Sequence, residues 1–240
     1  MVRVSGMVKS IDLSKYKEIT GKNLEQEILS EVSAKLETQD SVLLFFSYDI
    51  VNSSLYKTIN YYGWSMVIDH VLSKLREYVK AQINRAEVWR VLGDEIIFIV
   101  EICDIESVYE YVEDIYEILN YFCQSLETGY SFDEIEGFSE TVIDLMKRQG
   151  VISLQACAWI AAVTDKNNIK ERRRTQYVEN IFEVIEESKN NRFYEFIGMD
   201  IDAGFRLSKN TRERRLAVSF ELAYILAKQD EFKMRLYYHR

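Results

Sequence analysis

Leu43-Leu44-Phe45-Phe46-Ser47-Tyr48-Asp49-Ile50 is a short, continuous apolar run that closes on an aspartate. Starting from Val42, its brevity and its content of Val, Leu and Phe read as a buried strand. Farther along, Trp89-Arg90-Val91-Leu92-Gly93-Asp94-Glu95-Ile96-Ile97 spans two β-rich runs, Glu87 to Leu92 and Glu95 to Cys103, separated only by Gly93 and Asp94. A Gly-Asp tip supplies the positive φ that a tight turn requires, so the spacing predicts a hairpin. Strand and hairpin each deliver one carboxylate, Asp49 and Asp94. Two carboxylates on paired strands can hold metal ions.

Around these strands the hydrophobic spacing is helical. Trp64, Val67, Ile68, Val71, Leu75 and Val79 trace one face of a helix running from Ser54 to Gln82, and Val108, Tyr111, Val112, Ile115, Leu119 and Phe122 trace another over Glu106 to Leu126. Further helices are expected over Asn23 to Glu37, where Leu24, Ile28, Val32 and Leu36 recur every four residues, and over Phe132 to Arg148. Ile152 to Val163 alternates as a strand, with Leu154, Ala156 and Ala158 on one side and Gln155, Cys157 and Trp159 on the other. Thr164 to Asn191 is expected to be a charged loop followed by a helix. Its run Lys170-Glu171-Arg172-Arg173-Arg174 reads as a solvated face or helix start. Then come a strand at Arg192 to Gly198, a helix at Asp202 to Asn210, a strand at Leu216 to Ser219, a helix at Phe220 to Lys228 and a strand at Phe232 to Tyr238. This order predicts an α/β fold, an α+β sandwich with a mostly antiparallel sheet flanked by helices. Residues 1–40 form a polar extension, and residues 41–240 one domain.

Composition narrows the function. A net charge of -9 disfavours a general affinity for nucleic acid. No apolar run approaches the roughly 18 residues of a membrane helix, and the first ten residues lack a secretory h-region, so a cytoplasmic protein with no membrane partner is expected. Cys103, Cys123 and Cys157 are odd in number, far apart and set in apolar surroundings, which predicts reduced core thiols. With only His70 and His239 present, a histidine metal centre is not expected. Asp49, by contrast, ends a strand and is followed by Ile50-Val51-Asn52-Ser53-Ser54 and a helix. A strand, a polar turn and a helix start would set backbone N–H groups beside a carboxylate, a natural seat for a phosphate bound with Mg²⁺.

These stretches resemble the class III nucleotidyl cyclases, the adenylate and guanylate cyclase catalytic domains. Phe46-Ser47-Tyr48-Asp49-Ile50 looks like that family's Phe-x-x-Asp-Ile metal motif, and Arg90-Val91-Leu92-Gly93-Asp94 like its Lys-x-x-Gly-Asp. Tyr194 to Arg206, reading Tyr-Glu-Phe-Ile-Gly-Met-Asp-Ile-Asp-Ala-Gly-Phe-Arg, is similar to its Asp-x-x-Gly-x-x-Val-Asn-x-Ala-x-Arg segment. The resemblance implies a ferredoxin-like cyclase core. It further implies two Mg²⁺ or Mn²⁺ ions per site on Asp49, Asp94 and the Ile50 carbonyl, Arg206 as transition-state arginine and Asp202 at an asparagine position. Arg90 and Glu195 would read the base, and Ser53 and Ser54 would contact substrate. A homodimer would share its sites between subunits. Tyr48, Arg90, Glu195 and the Gly198 to Arg206 stretch most resemble the pyrimidine cyclases of bacterial Pycsar anti-phage systems, with Tyr48 offering a hydroxyl to a small base. On that resemblance the substrate is UTP or CTP, with UTP favoured. The alternatives are a guanylate cyclase, a diguanylate cyclase, since Arg90 to Glu95 also resembles an Arg-x-Gly-Gly-Asp-Glu hairpin, and an inactive nucleotide-binding domain.

Overall fold

A computed structural model describes residues 41–59, 64–128, 152–165, 180–188 and 191–228. The described elements are β1 (Ser41–Val51), α1 (Ser53–Ile59), α2 (Trp64–Gln82), β2 (Glu87–Leu92), β3 (Glu95–Glu101), α3 (Ile105–Thr128), β4 (Ser153–Asp165), β5 (Asn180–Ser188), β6 (Asn191–Gly198), α4 (Met199–Ser208), β7 (Leu216–Val218) and α5 (Phe220–Lys228). The helices expected over Asn23 to Glu37 and Phe132 to Arg148, the strand expected over Phe232 to Tyr238, and the Arg172 to Arg174 run lie outside the described residues.

The strands follow the order β2-β3-β1-β4-β5-β6, with β7 on the β4 edge. Pairing is antiparallel except for β4 with β5 and β4 with β7, so the α/β sandwich with a mostly antiparallel sheet holds. β1 sits at the centre because both its edges are paired along nearly their whole length, Asp49 lying opposite Glu95 of β3 and Gln155 of β4. A strand clamped on two sides must be apolar on at least one face, which is why the Leu43 to Ile50 run is so readable.

The sheet has two unlike faces. On one, Leu44, Phe46, Tyr48 and Ile50 join Val67, Val71 and Leu75 of α2, Val112, Ile115 and Leu119 of α3 and Leu222 of α5 in the main core. On the other, Phe45, Ile97, Trp159 and Phe196 form a smaller aromatic core with Ile201 and Phe205 of α4. α4 can lie this close because its buried face carries Gly204, where a Cβ would stand 2.1 Å from the Trp159 ring.

Not every expectation holds. The helix expected before Asn191 is instead strand β5, paired antiparallel with β6 from Asn180↔Gly198 to Ser188↔Asn191. Its glutamates favour a helix locally, but Ile181, Val184 and Ile185 are β-branched, and pairing with β6 satisfies the backbone at both strands. The sequence also predicts one helix from Ser54 to Gln82, where the structure has α1 and α2 on either side of residues 60–63. Cys123 and Cys157 are buried free thiols as expected, but Cys103 is exposed.

Candidate functional site

Asp49 and Asp94 meet at one end of the sheet. β1 ends there, and the β2–β3 hairpin folds its tip back onto that end, so that the Ile50 N–H donates to the Asp94 carbonyl at 3.2 Å. Gly93, at φ 70°, makes the turn, as the Gly-Asp reading requires. Asn52, at φ 64°, turns the chain just beyond β1, a conformation asparagine accepts more readily than most residues. That turn brings Ser53 under the hairpin, where its hydroxyl donates to the Asp94 carboxylate. Ser53 is buried and Ser54 exposed beside it.

Two residues that the sequence reading passed over complete this corner. Gln155 donates its amide N–H to Asp49 Oδ2 at 2.7 Å. Glu95, opposite Asp49 in the strand register, has a buried Oε1 without a hydrogen-bond partner among the described residues. Both share the face of Asp49 through inter-strand register, with β3 for Glu95 and with β4 for Gln155, which alternation along one strand does not reveal. Burial pushes the Asp49 carboxyl up, the Gln155 bond opposes this, and the neighbouring Glu95 and Asp94 charges add to the rise. Among the described residues no three His, Cys, Asp or Glu side chains form a ready metal cage. The corner instead offers two carboxylates in mutual repulsion, a donor set that suits an ion taking its other ligands from water and phosphate.

Tyr48 requires a correction. Expected in the base pocket, it is fully buried on the opposite face from Asp49, against Phe46 and Phe98, and its hydroxyl donates to the Ile115 carbonyl at 3.0 Å. Successive strand residues point to opposite faces, so the residue beside an aspartate on the site face must enter the helix-covered core. Burial, with Asp114 adding to it, raises the phenol well above its ordinary range and keeps it a proton donor.

Arg90 and Glu195 are brought together. β2 carries a bulge: Val88 pairs with Phe98 and Arg90 with Ile97, leaving Trp89 as the extra residue. Without it Arg90 would fall opposite Ile96 and face the helices; with it Arg90 is re-aimed to the face of Asp49. There its guanidinium forms an ion pair with Glu195 of β6. β2 and β6 stand at opposite ends of the strand order, so the sheet curls to make this contact. The pair also relieves a conflict within the sheet, because Glu195 lies directly opposite Glu183.

Arg206 and Asp202 occupy the solvent side of α4, both exposed, with Arg206 donating to Asp202 Oδ2 at 2.5 Å one turn away. The helix is held by Asn180 of β5, which accepts the Asp200 N–H at 3.0 Å and donates to Asp200 Oδ2 at 2.7 Å and to the Ala162 carbonyl at 3.0 Å. This anchor went unseen because β5 was expected to be helical. A cavity of about 270 Å³ lined by Leu43, Arg85, Glu101, Val163, Tyr194 and Phe196 lies toward the other end of β1, away from the carboxylates.

The curled sheet with helices on both faces matches the class III nucleotide cyclase fold. The chain is similar to the adenylyl cyclase CyaB from P. aeruginosa, with a TM-score of 0.54 and 11% identity over 80% of this chain and 83% of that one. It is also similar to the non-canonical dimeric guanylyl cyclase domain of the RhoGC fusion protein from the aquatic fungus Blastocladiella emersonii (TM-score 0.51, 14% identity, 79% and 84% covered). A third similar structure is the guanylate cyclase domain of RhGC from Catenaria anguillulae in complex with GTP (TM-score 0.50, 12% identity, 78% and 82% covered). No protein-family model matches the sequence, and neither does any curated protein. No helix among the described residues is long and apolar enough to cross a membrane.

Proposed function

We propose that this chain is a nucleotidyl cyclase, converting a nucleoside triphosphate to its 3′,5′-cyclic monophosphate and pyrophosphate. The observation that carries the reading is the meeting of Asp49 and Asp94 at one sheet corner of a class III cyclase fold, with Ser53 orienting Asp94. Asp49, Asp94 and the Ile50 carbonyl would hold two Mg²⁺ or Mn²⁺ ions. Bound there, the ions lower the pKa of the ribose 3′-hydroxyl and neutralise the phosphates. Gln155 fixes the orientation of the Asp49 carboxylate, leaving Oδ1 for coordination. Arg206 of the partner subunit would supply a guanidinium that forks across phosphate oxygens as charge builds in the displacement. Asp202, one turn away on α4, would orient that guanidinium through its ion pair with Arg206. Ser54, exposed beside Ser53, would contact the phosphates. The active form is then a homodimer with two shared sites, built from residues 41–240 and working in the cytoplasm.

Base choice rests on Arg90 and Glu195. Side by side they present a donor and an acceptor, the complement of an edge that carries a carbonyl next to an N–H. Uracil has that edge; cytosine and adenine carry an amino group beside a bare ring nitrogen. We therefore favour UTP over CTP. Guanine has the same edge, which makes GTP the second reading. A role in anti-phage signalling follows only from the resemblance to Pycsar cyclases. Incubating the protein with each NTP and Mn²⁺ or Mg²⁺ and resolving products by mass tests the whole reading: cyclic UMP is expected, cyclic GMP would favour the second reading, and a linear dinucleotide or no product would overturn cyclase activity.

A further inference from the structure

We propose that Trp89 is a specificity-positioning residue, which sets the separation and aim at which Arg90 and Glu195 meet a base; this rests on the base-reading role proposed for that pair. β2 and β6 are the two ends of the strand order and share no ladder hydrogen bonds. Only side chains can join them. The Arg90–Glu195 ion pair is a poor ruler for that gap, because its side chains are 36% and 42% exposed and solvent screens such a pair.

Trp89 is built to do it. Only 8% exposed, it donates its indole N–H to the Tyr194 carbonyl at 2.8 Å, replacing the missing ladder bond, and its ring meets Phe196 edge-on at 5.1 Å. Tyr194 and Phe196 flank Glu195, so one indole holds β6 on both sides of the acceptor, by the backbone at Tyr194 and by the side-chain ring at Phe196. On its own strand the Arg90 guanidinium carbon lies 5.2 Å from the centre of the Trp89 ring, a cation–π contact that fixes the donor as well. The same ring also touches Phe205 at 5.8 Å, the residue before Arg206. As the bulged residue, Trp89 further determines that Arg90 faces the site at all. Two hydrogen bonds to a base must both fall near 2.7–3.2 Å, so loosening the clamp degrades discrimination before it degrades chemistry at Asp49 and Asp94, which the indole does not hold.

The test is Trp89→Phe, which keeps an aromatic ring against Phe45, Phe196 and Phe205 and removes the N–H. The ratio of kcat/KM between the preferred and least preferred NTP is expected to fall about tenfold, the effect of one lost positioning hydrogen bond. The loss should appear in KM for the preferred NTP, with kcat and the metal optimum little changed. Trp159→Phe is the control: it thins the same aromatic cluster at a ring that meets Phe45 and Phe205 rather than the Trp89–Tyr194–Phe196 link. An unchanged ratio in Trp89→Phe, or an equal fall in Trp159→Phe, overturns the proposal. If wild-type protein makes no cyclic nucleotide, cyclase activity fails, and the same ratio is read from calorimetric binding of the four NTPs. If Trp89→Phe does not fold, hydrogen exchange of the Trp89 indole N–H in the wild type decides. Slower exchange with the best-binding NTP than with the worst supports the clamp; equal exchange overturns it.

Discussion

β1 sends alternate residues to two surfaces with different duties. Leu44, Phe46, Tyr48 and Ile50, each at most 2% exposed, pack their side chains into a core shared with α1, α2, α3 and α5. Phe45, Ser47 and Asp49 face the other way, toward α4 and an aromatic layer, and the last of them stays part-exposed at the site corner. Function therefore sits one residue from structure along the same strand. A closed apolar face holds the strand rigid, and the opposite face can then afford a charge without a cationic partner. The comparison also explains why Tyr48 is a core residue although it neighbours a metal-binding candidate: a shift of one position changes the face.

The sharpest break in this comparison comes from the site face. Asp49→Ala or Asp94→Ala is expected to lower turnover about a thousandfold or more, with an unchanged folded dimer by sedimentation. Mixing Asp94→Ala with Arg206→Ala protein should restore about a quarter of wild-type activity, because random exchange makes one intact site in half of the dimers. No recovery despite demonstrated exchange would count against a shared site. Gly204→Ala comes next. Trp159 is 2% exposed and stacked on Phe45, so it cannot retreat from the new methyl, and α4 must lift. Denaturant titration should read a loss of about 1–3 kcal/mol, and activity should fall with it as Arg206 moves.

On the packing face the expected effects are smaller and free of chemistry. Tyr48→Phe removes one buried hydrogen bond and should cost about 1 kcal/mol while leaving base preference intact. A changed preference would return Tyr48 to the pocket. The smallest effect sharpens the contrast through pH. The carboxyl of Asp49 titrates higher in the folded state than in the unfolded chain, so its protonated form supports the fold. That support is complete below the unfolded value and is lost as pH rises through the folded one. In metal-free protein at neutral pH, Asp49→Asn should therefore melt higher than wild type, with the difference shrinking as pH falls into the carboxylate range. Equal melting at every pH would mean that the corner carries no electrostatic strain.

Sequence alone was enough to find β1, the hairpin and the face of each long helix, because periods of 2 and 3.6 are local properties of the chain. The same reading picked out Asp49 and Asp94, since strand ends and turn residues announce themselves within ten positions. It could not see β5, whose strand state is set by pairing with β6 against its local helical preference. Nor could it see Gln155 against Asp49, 106 positions apart, or the bulge that turns Arg90 over. Tertiary structure alone decided that Tyr48 belongs to the core and that Trp89 and Arg90 meet Tyr194 and Glu195 across the two ends of a curled sheet. The reason is physical: strand order and curl bring together residues more than a hundred positions apart, and no spacing along the chain encodes that distance.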